Sequence, residues 1–133
     1  QRQMCIRDRY YENMKTIINR LLALYPNCRI VVHRPLWYSP NTYNGAKYLE
    51  EGLRRLQDYY PQIQRLVDYY ASHFPGQVFL GDTKGFDYFK ENHLTDFQAE
   101  KGSAGVFYLH PNEKGAVRLG ELWSEAIRQA LGL

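Results

Sequence analysis

Residues 29–33 read Arg-Ile-Val-Val-His, a short run centred on β-branched side chains with no polar alternation. A strand with one wet face alternates apolar and polar residues. This run is therefore expected to be a strand buried on both faces, as in parallel sheets. Upstream, Met14, Ile17, Ile18, Leu21, Leu22 and Tyr25 recur at spacings of three and four, predicting an amphipathic helix over 10–25 that Pro26-Asn27 stops. Downstream, Pro35 and the turn-rich stretch Trp37–Gly45 predict a long loop.

A second helical pattern spans about 46–74, carried by Leu49, Leu53, Leu56, Tyr59, Ile63, Leu66, Val67 and Tyr70. Pro61 is expected to kink or split it. Tyr59 and Tyr70 join its apolar stripe, which makes them core residues. Pro75-Gly76 closes the pattern, and Gln77–Leu80 reads as a second strand leading to Gly81-Asp82. A short helical piece over 86–91 follows. The last helix is expected from Asn112, its N-cap, with Ala116, Leu119, Trp123, Ala126, Ile127 and Ala130 buried and Gly115 and Gly120 reserved for close packing.

This order alternates helices and strands, which implies an α/β fold with a parallel sheet covered on both faces. Two strands are too few to cover three substantial helices, so the sheet is short of strands. Either strands are hidden in the loops or the chain is the C-terminal half of a larger domain. Residues 1–9, QRQMCIRDR, have no apolar period, cap or turn signal, and they resemble the translation of sequencing-adapter DNA. We expect them to be non-native, the domain to be residues 10–133, and the natural chain to continue upstream. A disordered native N-terminus is the alternative.

The 133 residues are 44% hydrophobic and 23% charged, the balance of a globular domain. No apolar run approaches the roughly 20 residues that span a bilayer. Arg2, Arg7 and Arg9 against Asp8 supply +2 of the +3 net charge, leaving basic and acidic residues mixed elsewhere. A nucleic-acid surface needs a basic patch, so no nucleic-acid partner is expected. Cys5 and Cys28 form no disulfide framework, and the four histidines form no H-x-x-x-H or H-E-x-x-H pair, so neither a metal nor a cofactor is expected.

Functional groups of a parallel α/β sheet gather at the carboxyl ends of its strands. Three places qualify: His33-Arg34 with the loop to Tyr43, Gly81-Asp82, and His110. His110 ends the apolar run Val106–Leu109 and precedes the helix cap. A histidine held there can present one ring nitrogen as a general base. It can equally bond a backbone carbonyl as an ordinary loop residue. Asp82 also reads as a strand-end turn residue. Trp37, Tyr38 and Tyr43 read either as a substrate-facing aromatic wall or as core cover.

The stretch His110-Pro-Asn-Glu-Lys-Gly115, with Ala116 and the apolar helix through Trp123 and Ile127, resembles the last motif block of the SGNH (GDSL-type) hydrolases. The resemblance covers about residues 10–131. It implies the C-terminal part of a flavodoxin-like three-layer α/β/α sandwich and a serine esterase or acylhydrolase with His110 as catalytic base. It further implies a small ester or acylated carbohydrate as substrate. Trp37 and Tyr38 are the candidate substrate-binding residues. The family's Gly-Asp-Ser nucleophile block and oxyanion-hole residues have no counterpart here. Ser39, Ser72, Ser103 and Ser124 are the only serines, and none lies in a Gly-Asp-Ser context. Ser103, in Lys-Gly-Ser-Ala-Gly, reads as a turn serine: Lys101 takes the first glycine position of a nucleophile elbow, and no strand is expected before it.

The family usually carries an Asp three residues before the His, where Phe107 stands here. Either a Ser-His dyad steadied by a backbone carbonyl operates, or Asp82, Asp96 or Glu100 reaches the ring. The nucleophile would then lie upstream, as would any secretion signal. The reading from a different class is a non-catalytic α/β binding module, which the absent acid at Phe107 favours.

Overall fold

A computed structural model describes residues 2–43 and 48–133, with side chains from Ile6 onward. Its elements, in chain order, are α1 (Arg2–Leu24), β1 (Ile30–Val32), α2 (Leu49–His73), β2 (Val78–Leu80), α3 (Gly85–Asp96), β3 (Glu100–Gly102), β4 (Gly105–Phe107) and α4 (Glu113–Leu131). The molecule is mixed α/β. β1 and β2 pair in parallel, Ile30 opposite Val78 and Val32 opposite Leu80, with α2 as the crossover. β3 and β4 form a separate antiparallel hairpin.

Several expectations are corrected. The first helix begins at Arg2, not Tyr10. Nothing in 2–9 breaks a helix, and Arg7 pairs with Asp58 of α2 at 2.9 Å while the Tyr10 ring lies 4.6 Å from that of Tyr59. The expected start of the second helix, together with Gly45, falls within 44–47, outside the described residues; α2 is seen from Leu49. It runs through Pro61 as one helix. Pro61 removes only the amide that would have met the Gln57 carbonyl, and burial of Ile63, Leu66 and Tyr70 beyond it outweighs that loss. Tyr70 is fully buried and its hydroxyl donates to Asn19 Oδ1 at 2.6 Å, tying α2 to α1; burial pushes its pKa up to about 12.

The strands of the parallel pair are only partly buried, apart from Val78. Among the described residues each has one strand neighbour, so both outer edges of the pair are without a strand partner. Half of the α1 stripe is open, with Ile17 53% exposed while Ile18 and Leu22 are buried. The hairpin is the element the sequence reading lacked, and it places a strand directly before Ser103. Ser103 itself sits in the two-residue turn between β3 and β4.

The start of α4 is fixed by Asn112. Its Oδ1 accepts from Gly115 N at 2.9 Å, its backbone N donates to the Asp96 carbonyl at 2.9 Å, and its Nδ2 donates to the Thr95 carbonyl at 2.8 Å. The helix face differs from the one expected: Gly115 and Leu122 are buried, Leu119 packs on the core, and Trp123 is 40% exposed. The reason is the close approach of α3, since a side chain on Gly115 would collide with the Asp96 carbonyl oxygen. Gly120 has open space around it, contrary to expectation. In urea denaturation Gly115→Ala should therefore cost roughly 1–3 kcal/mol. Gly120→Ala should add about 0.5–1 kcal/mol through helix propensity. A stabilising Gly115→Ala would contradict this packing.

Candidate functional site

His110 lies where the hairpin runs into α4, and its aim follows from pairing register. Glu100 stands opposite Phe107, yet Phe97 bridges Pro111. Between these two pairs the β3 side advances three residues and the β4 side four. One extra residue on a strand reverses its alternation of faces. His110 thereby joins the face of Glu100 instead of turning away from it. The Gln98 amide holds the His110 carbonyl at 2.8 Å and keeps the offset in place.

The result is a paired imidazole and carboxylate. Nδ1 of His110 lies 3.0 Å from both Oε1 and Oε2 of Glu100, and the His110 amide donates to Oε2 at 3.4 Å. An ionised carboxylate only accepts, so in the neutral ring Nδ1 carries the hydrogen and Nε2 the lone pair. Among the described residues nothing bonds Nε2. The His110 side chain is 57% exposed and that of Glu100 24%, so the imidazole is open while its partner is sheltered. The carboxylate thus fixes the orientation of the ring from the Nδ1 side.

The other two acids are committed elsewhere. Asp82 is buried and its carboxylate accepts from the Lys84 and Gly85 amides at 3.1 and 2.9 Å, capping α3. Asp96 is fully buried and accepts from Tyr88 Oη at 2.7 Å and Thr95 Oγ1 at 2.6 Å. Burial works to raise its carboxyl, but those hydrogen bonds and Lys114 at 3.6 Å outweigh it and hold the pKa below the usual value. Phe107 is 1% exposed and packs inward, so a carboxylate at that position would be buried.

The structure brings His33 and Asp82 together but does not join them to His110. The Asp82 amide donates to His33 Nδ1 at 2.8 Å, and the imidazole stacks on Trp123 at 4.5 Å. Burial lowers the His33 pKa, with the Asp82 charge opposing it. Trp37 and Tyr38, read as candidate substrate-binding residues or core cover, are 6% and 9% exposed and belong to the core. Trp37 stacks on Phe97 and Tyr38 leans on Tyr48, so neither ring is available as an open wall. Tyr43 is half-buried.

Among the described residues no three His, Cys, Asp or Glu side chains converge to hold a metal ion, and no helix is long and apolar enough to cross a membrane. Comparison with protein-family models, curated proteins and solved structures finds no match for this chain.

In their neutral forms the two histidines should show opposite tautomers in nitrogen-detected NMR: Nδ1–H at His110 and Nε2–H at His33. His33 should also stay neutral to below its ordinary 6.5. Folding thus disfavours its protonation, and the stability it contributes is present above about pH 6.5 and lost below it. Glu100→Ala should release His110 to a mixture of tautomers and leave His33 unchanged. A persistent Nδ1–H in that variant would show that Glu100 does not orient the ring.

Proposed function

We propose that this chain carries the acid–base part of a serine ester hydrolase of the SGNH (GDSL-type) kind, built on part of a flavodoxin-like sandwich. The observation that supports it most is the Glu100–His110 pair, with Nε2 open and the ring fixed from behind. The β1–α2–β2 crossover and the Asn112-capped helix after His110 agree with the order of elements in that family. Glu100 takes the orienting role that an Asp three residues before the His would have, and a carboxylate in that role is stronger than a carbonyl because it also stabilises the imidazolium.

In this reading a serine hydroxyl gives its proton to Nε2 and its oxygen attacks the ester carbonyl. The imidazolium then returns the proton to the leaving alcohol, and water, activated in the same way, releases the acid. The serine comes from outside these 133 residues. Ser39 is buried, with its hydroxyl accepting from the Tyr108 amide at 2.8 Å. Ser72 and Ser124 are exposed on helices, and Ser103 is in a hairpin turn. The substrate class, a small ester or an acyl group on a carbohydrate, rests on the family resemblance alone.

The complete gene product should hydrolyse an aryl acetate, and His110→Ala should lower kcat by roughly 10⁴-fold or more. The 133-residue chain alone should be inactive. Unchanged turnover in His110→Ala would remove His110 from the chemistry, and no turnover by the complete gene product would leave the non-catalytic binding module as the reading. Turnover by the 133-residue chain that His110→Ala abolishes would overturn the external nucleophile.

A further inference from the structure

The Glu100–His110 pair depends on a hairpin with strands of three residues, and two such strands alone do not make a stable unit in water. Their outer edge has to be covered. The carbonyls of Ala104, Val106 and Tyr108 alternate along that edge of the β4 segment, and the loop between β1 and α2 meets all three. Asn41 Nδ2 donates to Val106 O at 2.6 Å and to Ala104 O at 3.3 Å. The Ser39 amide donates to Tyr108 O at 2.9 Å, and Ser39 Oγ accepts from the Tyr108 amide at 2.8 Å. The loop thus stands in for a third strand, with one carboxamide doing the work of two backbone amides.

Residues 39–42 are held in place for this. Thr42 is fully buried, with its amide and its hydroxyl both donating to the Ser39 carbonyl, the hydroxyl at 2.7 Å, and its own carbonyl accepts from the Leu49 amide. These bonds close a turn from which Asn41 projects. Gly105, at φ +94°, runs alongside the carboxamide: a side chain there would sit 3.9 Å from Asn41 Nδ2. On the other side of the hairpin, the Tyr43 carbonyl and the Phe107 ring leave no room for a side chain on Gly102. Both ends of the hairpin turn are therefore fixed against the loop.

We infer that Asn41 is a positioning residue: by clamping the Ala104 and Val106 carbonyls it fixes the hairpin so that Glu100 meets Nδ1 of His110. A shift of the hairpin by about one ångström would break a 3.0 Å contact made to both carboxylate oxygens. Asn41 touches neither member of the pair, and its influence passes through the backbone of β4 and its register with β3. The catalytic consequence rests on the hydrolase reading. The effect on the His110 tautomer does not.

Asn41→Asp keeps the shape of the side chain and removes both donors. In the 133-residue chain it should convert His110 from Nδ1–H to a mixture of tautomers while His33, held by the Asp82 amide on the sheet, keeps its Nε2–H signal. In the complete gene product it should lower kcat on the order of tenfold to a hundredfold, with KM little changed. Should Asn41→Asp cost the fold, seen as loss of the His33 signal, Asn41→Ala removes the donors without adding charge and decides in its place. A His110 that keeps Nδ1–H overturns the clamp, as does loss of both histidine signals together in both variants. A shifted tautomer in an enzyme whose turnover ignores His110 upholds the clamp and rejects the hydrolase.

Discussion

One extra residue between Phe107 and Pro111 puts His110 on the face of Glu100, and the functional reading depends on that offset. In a regular ladder His110 would point away from Glu100, and the sequence would hold an ordinary exposed loop histidine. The offset is held from both sides. Ahead of it, the Gln98 amide and the Phe97–Pro111 bridge fix the His110 backbone. Behind it, Asn112 ties the first turn of α4 to the end of α3 through the Asp96 and Thr95 carbonyls. Gly115 lets the two helices come close enough for those bonds to form.

The same junction separates two kinds of carboxylate. Asp82 and Asp96 are buried, with both oxygens of each hydrogen-bonded, and serve helix ends and helix packing. Glu100 is only partly sheltered, and its oxygens face one imidazole. A buried carboxylate already satisfied by hydrogen bonds has little to offer a neighbouring ring. A partly exposed one with a single partner can stabilise the charge that appears when the ring takes a proton. The division of roles thus follows from hydrogen-bond supply. His33 shows the opposite case, a ring whose Nδ1 is used as an acceptor and whose pKa burial lowers.

Much of the architecture was legible from periodicity. A strand within residues 29–33 (observed as Ile30–Val32), the crossover helix, the second strand and the Asn112 cap all follow from apolar spacing and capping chemistry, and each is present. The hairpin was not read because its strands are three residues long and include two glycines and a lysine. Its one signal was Gly102-Ser-Ala-Gly105, a two-residue turn between short extended stretches. Without the hairpin, Glu100 had no claim over Asp82 or Asp96, and Asn41 read as a loop residue. Gly115 was legible as a close-packing glycine and Gly120 was not one, while the face of α4 was misjudged because apolar spacing alone does not say how the helix is turned toward α3, and it leaves Trp123 40% exposed. Trp37 and Tyr38 were ambiguous for a related reason: an aromatic in a long loop covers core or faces solvent according to what folds beneath it, here Phe97 and Tyr48.

The central claim is that Glu100 and His110 act as one unit. A double-mutant cycle on the complete gene product tests it most directly, comparing kcat/KM for an aryl acetate in Glu100→Ala, His110→Ala and the variant carrying both. If Glu100 works only by orienting and stabilising His110, the double variant will be no slower than His110→Ala alone. Losses that multiply would show two independent contributions and contradict the account.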